Sequence, residues 1–436
     1  MKKFIKFANA LIVFSFCIIL FSIITGINHD NSLVKNGTID LTNINYSNSA
    51  TQLTGQWEFY FGQTVSSDGN IHNTKNKEFV NIPASWSSYK NKENESLPVY
   101  GYGVYRIVIK ANKGDNLALK IPQIGSSYNL WIDGKVRFSS GKFGTNAYQS
   151  VPKWTTEVVD FNVDKEYTVI MLEVSNFHYF RAGITKPITI GTEDQIQDLK
   201  YKGLFLDSFI FAGLFITAIF FLLLYILHTH KDTYIYLALF SISISLRPLL
   251  YGECFFNTIF PNINFEINTK IYIVSFIAIH LFFLYFYSQY KDILSKKVLH
   301  FIGYPLAILL AIGIILPANY MIYPVSLLEA MIPIVVVICL YTLILAHRNN
   351  YEDISVNILS VLMLSFLAVV DILTNNDILN LNIYYTPIGM LIIAFAQAFL
   401  QVCKFRENAI INEKLTHEIE INTLKLSYER KQKKYY

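Results

Sequence analysis

Apolar positions along this chain fall into long unbroken runs on either side of one long polar segment. The first run is "FANALIVFSFCIILFSIITG" at 7–26, and seven more follow at 203–228, 234–251, 271–290, 299–316, 324–346, 354–373 and 384–403. About 20 apolar residues cross a bilayer as a helix, so each run predicts one membrane helix. The intervening segment reads differently. Residues 27–50 are rich in Asn, Ser and Thr and predict a linker. Short β-forming runs then alternate with turn signals: "WEFYF" (57–61), "EFVNI" (78–82), "VYRIVIK" (104–110), "LALKI" (117–121), "YNLWI" (128–132), "TEVVDF" (156–161), "YTVIMLEV" (167–174) and "ITI" (188–190). Asp133-Gly134, between "YNLWI" and "KVRF", predicts a tight hairpin. Many short strands and almost no helix predict an all-β jelly-roll sandwich over residues 51–195.

Composition agrees with a membrane protein: 53% of residues are hydrophobic and 16% charged, too apolar a balance for an ordinary soluble chain. The net charge of +4 gives no reason to expect nucleic-acid binding. The cysteines, Cys17, Cys254, Cys339 and Cys403, all lie in or beside apolar runs. The polar segment therefore has no disulfide framework and must be held by its own core, for which roughly 175 residues suffice.

Charge placement predicts one orientation. Lys2, Lys3 and Lys6 precede the first run, which reads as an anchor or a cleaved signal peptide, with the anchor favoured by its length and its poor small-residue cleavage site. Alternate counting puts Lys231, Lys291, Lys296, Lys297, Arg348, Lys404 and Arg406 in cytoplasmic segments, and leaves only Lys270 in the outer loops of the bundle. That is the positive-inside bias, and it predicts residues 27–202 outside the cell and the C-terminus inside.

The segment "LRPLLYGE" (246–253) puts two charges at the outer end of a predicted helix. Arg247 is thirteen residues along it, roughly 20 Å at about 1.5 Å per residue. Two readings stay open: the guanidinium snorkels to the outer headgroups with Glu253 in water, or it faces the bundle and pairs with Glu253, Asp371 or Glu329.

In the polar segment, Trp57 and Trp131 lie within strands and are core candidates, whereas Trp86 and Trp154 lie in loops and are candidates for stacking on a ligand. "SNFHYFRAGI" (175–184) groups His178, Tyr179 and Arg181, which suits a polar or anionic ligand or, equally, a tucked loop. Beyond residue 403, Leu415, Ile419, Asn422 and Leu426 occupy heptad core positions of a predicted helix, and a homodimer through a short coiled coil follows. His417-Glu418 lacks the residues of a phosphoacceptor box and reads as a solvated helix face. His228 and His230 read as interfacial, and His280 as packed. There is no His-Glu-x-x-His, Gly-x-Ser-x-Gly, phosphate loop or Cys-x-x-Cys, so neither an enzyme nor a cofactor or metal is expected.

"LTGQWEFYFGQ", "NIPASW", "GYGVYRIVI", "LALKIPQIGSSYNLWIDGK", "GKFG" and "LEVSNFHYFRAGI", together with "LRPLLYGE" and "VVDILTNNDIL", resemble the bacterial seven-transmembrane receptors with diverse intracellular signalling modules, over roughly residues 50–405. The resemblance implies a jelly-roll sensory domain similar to the sugar-binding domain of family 2 glycoside hydrolases, and a small polar or carbohydrate ligand. Members carry an output module after the last helix. Here 33 residues follow it, which implies output through a cytoplasmic partner or a module beyond residue 436. The competing expectation is a transporter or membrane enzyme with a substrate-capturing outer domain, although no internal repeat is visible. A surface adhesin would need only one helix.

Overall fold

The computed structural model describes residues 2–27, 33–42, 50–74, 77–91, 93–227, 231–351, 354–376, 378–379, 381 and 383–433. Helix α1 (Lys2–Ile27) comes first, and the strands follow: β1 (Thr38–Asp40), β2 (Thr51–Gln52), β3 (Gly55–Phe61), β4 (Glu78–Ile82), β5 (Gly101–Lys110), β6 (Asn116–Ile121), β7 (Ser127–Ile132), β8 (Lys135–Ser140), β9 (Glu157–Asn162), β10 (Tyr167–Asn176) and β11 (Thr189–Thr192). They form two sheets. One runs β4-β3-β5-β10-β7-β8, with β1 also on β5, and the other runs β2-β11-β6-β9. The expected all-β sandwich is present.

The register shows why these residues form it. Along β5, Val104 and Arg106 pair with β3, and β1 takes over the same edge at Val108–Lys110, in parallel. Ile107 and Ile109 point between the sheets and are fully buried with Trp57, Leu119, Leu130, Leu172 and Ile190. Asp133 (φ 48°) and Gly134 (φ 77°) join β7 to β8, with both residues in the left-handed region that a two-residue hairpin demands. On the far face of the larger sheet, Glu173 is buried but satisfied: it accepts from Val65 N, Asn129 Nδ2 and Trp131 Nε1. Residues 34–40, placed by the sequence in a linker, belong to this sheet. Val34 bridges Gly55, and β1 completes the edge of β5.

The helices are α2 (Glu193–Leu227), α3 (Asp232–Leu250), α4 (Phe255–Ile259), α5 (Phe265–Ser275), α6 (Ile277–Gln289), α7 (Lys296–Ile315), α8 (Ile322–Arg348), α9 (Ile354–Asn375) and α10 (Thr386–Lys433). α5 and α6 make one span, so among the described residues eight spans are long and apolar enough to cross a membrane, as the runs predicted. Two boundaries differ from expectation. α2 starts at Glu193, directly after β11, because the helix continues through the polar residues 193–202. α10 does not stop at 403 but runs for 48 residues, since no Pro or Gly interrupts it after Gly389.

α1 packs against α9 and α10 through Ala8, Ile12, Ile19 and Ile23. Asn9 donates to Ser355 near the start of α9, and the hydroxyls of Ser22 and Tyr385 meet beside the start of α10. α1 therefore runs antiparallel to α10 and ends on the sandwich face of the bundle. On the opposite face Lys291 pairs with Asp232 (2.8 Å) and Tyr234 bonds Gln401 (3.1 Å).

Candidate functional site

The sandwich sits directly on the ends of the bundle helices, and Glu253 is the centre of that seam. The left-handed Gly252 (φ 66°) turns the chain after α3 and directs Glu253 towards the sandwich. There Glu253 is only 8% exposed and pairs with Lys120 of β6. Thr156 donates to its backbone oxygen (3.0 Å) and lies 3.3 Å from its carboxylate. The Glu253 backbone N–H donates to Asp207 of α2 (3.0 Å). A carboxylate expected in water is thus buried between domains, and it does not pair with Arg247. A side chain at position 252 would have to adopt the left-handed conformation with its Cβ against the Asp207 carboxylate. Gly252→Ala should cost about 1–2 kcal/mol from the backbone alone. The loss should appear as a lower melting temperature of the full chain, and an unchanged melt would show that the turn can re-form.

A second layer of the seam is aromatic. Trp154 is 2% exposed and packs on Tyr179, Tyr251 and Phe265, at centroid distances of 5.5, 5.9 and 5.7 Å. Its backbone oxygen accepts from Asn257. Trp86 lies inside the sandwich, fully buried, with its indole N–H donated to Pro98 O (3.0 Å). Neither indole offers an open face, which corrects their reading as stacking platforms. The loops that carry them fold the rings inward because each finds an apolar cluster there. The His178 ring meets the backbone oxygens of Ala147 and Ser150 (3.0 and 3.1 Å), so it ties two loops together.

Arg181 and Tyr179, in contrast, line a recess of about 40 Å³ between sandwich and bundle, together with Lys186, Tyr251, Glu329 and Tyr384. Arg181 lies over the Phe180 ring (5.4 Å), and Lys186 lies over the Tyr384 ring (5.2 Å). Burial pushes the Lys186 ammonium below the usual lysine range, against the pull of Glu253 and Asp207. The Tyr384 hydroxyl donates to Asn375 Oδ1 (3.2 Å).

Glu329, Asn375 and Tyr384 also line a deeper chamber of about 120 Å³ inside the bundle. Arg247 is on its wall, so it faces the bundle and does not snorkel. Its guanidinium lies 4.8 Å from the Phe276 ring centroid, and its Nε is buried without a hydrogen-bond partner. Asp371, 5% exposed, lies on the same wall but is engaged elsewhere: its two oxygens accept the backbone N–H groups of Tyr385 (2.8 Å) and Thr386 (2.9 Å), capping α10. Glu329 accepts from Asn375 Nδ2 (3.1 Å). Among the described residues Arg247 forms no ion pair with either acid, although the sequence reading allowed one. Of the residues that complete the two cavities, the sequence reading missed Lys186, Asn375 and Tyr384. Each sits at an element end that looks like ordinary polar loop.

Residues 203–403 match the family described as 7TM diverse intracellular signalling. Over that stretch the bundle is similar to the family of seven-transmembrane receptors with diverse intracellular signalling modules. The chain has no match among curated proteins. Among solved structures it is similar to a glycosyl hydrolase family 2 member from Bacteroides cellulosilyticus DSM 14838 (16% identity, TM-score 0.26, 33% of this chain and 20% of that one). It is also similar to a GH2 beta-galacturonidase from Eisenbergiella tayi bound to galacturonate (13% identity, TM-score 0.24, 33% and 24%). A third is the Faecalibacterium prausnitzii beta-glucuronidase (13% identity, TM-score 0.25, 32% and 31%). The match spans less than a third of each of those chains.

The heptad residues Leu415, Ile419, Asn422 and Leu426 lie on the part of α10 beyond the bundle, and all are exposed. His417 is also exposed there, 3.9 Å from Glu420. The Nδ1 of His280 is buried without a partner, and the ring packs where Gly303 lets α7 approach. His228 and His230 lie outside the described residues.

Proposed function

We propose that this membrane signalling protein is a non-catalytic receptor in which a small polar ligand enters the recess between sandwich and bundle and changes how the two are seated. The sandwich faces the exterior and the tail of α10 the cytosol. The support is that Lys231, Lys291, Lys296, Lys297 and Arg348 all adjoin helix ends opposite the sandwich. The packing of α1 into the bundle favours a retained anchor over a cleaved leader.

The observation that carries the relay is the course of α10. It begins at the chamber, capped by Asp371, and continues without a break to Lys433. A helix of about 1.5 Å per residue transmits a shift at its start as movement of its whole length. A ligand biases the equilibrium only through unequal affinity for the two seatings. The exposed Leu415, Ile419, Asn422 and Leu426 stripe is the surface on which a second copy of the tail packs, and the paired tails present the signal to a cytoplasmic partner.

The test uses the full chain in nanodiscs, its native cysteines replaced, carrying Leu415→Cys or Ile419→Cys. Crosslinks between tails should form. Their pattern should change when the seam is weakened by Lys120→Met or Glu253→Gln. Tails that fail to crosslink, or crosslink identically with an intact and a weakened seam, would end this reading.

A further inference from the structure

We infer that the chamber in the bundle is a binding site for a small zwitterion, an ammonium and a carboxylate on a short apolar body, of the amino-acid class. This deepens the receptor reading above and rests on it for the ligand's purpose, but not for its binding.

Opposite charges stand on the chamber wall without joining. Arg247 has a buried Nε with no acceptor, and Glu329 has one amide donor and no cation among the described residues. Isolated charges in a membrane interior are costly, and opposite ones within reach of each other ordinarily close into a pair. Here both are held apart, Arg247 by the Phe276 ring and Glu329 by Asn375. A lone carboxylate would satisfy Arg247 and leave Glu329 facing a second anion. A lone amine would satisfy Glu329 and leave Arg247 facing a second cation. A zwitterion satisfies both and adds no net charge to a low-dielectric site. Asp371 lies within reach of the Arg247 charge, but its two oxygens are taken up by the N-terminus of α10, so it gives the guanidinium no hydrogen-bonded partner.

The rest of the wall sets the body of the ligand. Below the charged rim lie Phe240, Ile244, Phe282, Val335, Val361 and Leu364. The chamber, about 120 Å³, is near the size of an engineered apolar cavity of about 150 Å³ that holds benzene. That fits a side chain of three or four carbons. The shared residues Glu329, Asn375 and Tyr384 connect it to the recess that Arg181 and Lys186 line, which gives a polar route in from the seam.

The experiment measures direct binding to the full chain in nanodiscs. The probes are L-valine, L-leucine, 4-methylpentanoate (leucine without its ammonium) and 3-methylbutylamine (leucine without its carboxylate). L-leucine or L-valine should bind saturably, and both leucine analogues should bind about 10- to 100-fold more weakly than leucine. Arg247→Met should abolish the preference for leucine over the amine, and Glu329→Gln the preference over the acid. These selective losses are not what a merely misfolded bundle would show. Should either variant fail to fold, the analogue series on the unaltered chain decides alone. Failure of both amino acids to bind, an analogue equal to leucine, or discrimination that survives both substitutions would overturn the proposal. The relay is judged separately: leucine binding with unresponsive tail crosslinks sinks the relay and keeps the site, and the converse result sinks the site and keeps the relay.

Discussion

Glu253→Ala should release the sandwich from the bundle at a cost of about 3–5 kcal/mol, the range for removing one member of a buried ion pair. The side chain is nearly buried, and its removal takes the ion-pair partner from Lys120, whose side chain is 20% exposed, and a compensating negative charge from the buried Lys186. The backbone bonds to Thr156 and Asp207 survive the substitution, so the turn itself should hold. A loss of about 3 kcal/mol raises the population of the opened seam more than about 100-fold. Hydrogen exchange of the full chain in nanodiscs should therefore speed up at residues 154–157 and 251–257 and stay unchanged in the centre of the bundle. Glu253→Gln, which keeps the shape and a partner for Thr156, should lie between. Seam protection that is indifferent to alanine would remove Glu253 from the centre of the interface.

Trp86→Ala should cost the sandwich about 3–5 kcal/mol, as large-to-small substitutions in a closed core do. The ring is enclosed by Phe59 and Phe61 at 6.0 and 5.9 Å, and its N–H satisfies Pro98 O, so the substitution opens a cavity and orphans an acceptor together. At about 2–4 °C per kcal/mol for a domain of this size, the sandwich should melt roughly 10 °C lower. A sandwich that melts normally while the receptor loses its response would return Trp86 to the ligand-stacking role that its loop position first implied.

Local periodicity made most of this architecture readable. β5 and β10 alternate faces, Asp133-Gly134 has the hairpin chemistry, and the apolar runs have bilayer length. β1 was hidden because three residues, Thr38-Ile39-Asp40, carry no period of their own. They become a strand only because β5, some seventy residues on, offers a free edge. The same holds at the seam. Arg247 stood out as a charge within an apolar run, but nothing local could tell that Glu253 answers to Lys120, 133 residues away, and not to the arginine in its own segment. Indoles are equally ambiguous by position: a loop tryptophan is inward or outward according to which neighbours the fold supplies. Lys186, Asn375 and Tyr384 acquire meaning only when three chain segments converge on one cavity.

The sandwich is joined to the bundle twice by its own covalent chain. Upstream, α1 leads to β1 on one edge of the larger sheet. Downstream, β11 of the smaller sheet passes into α2 with no residue between Thr192 and Glu193. If the sandwich responds to a ligand as proposed, the direct β11–α2 junction is where its movement would enter the helices first.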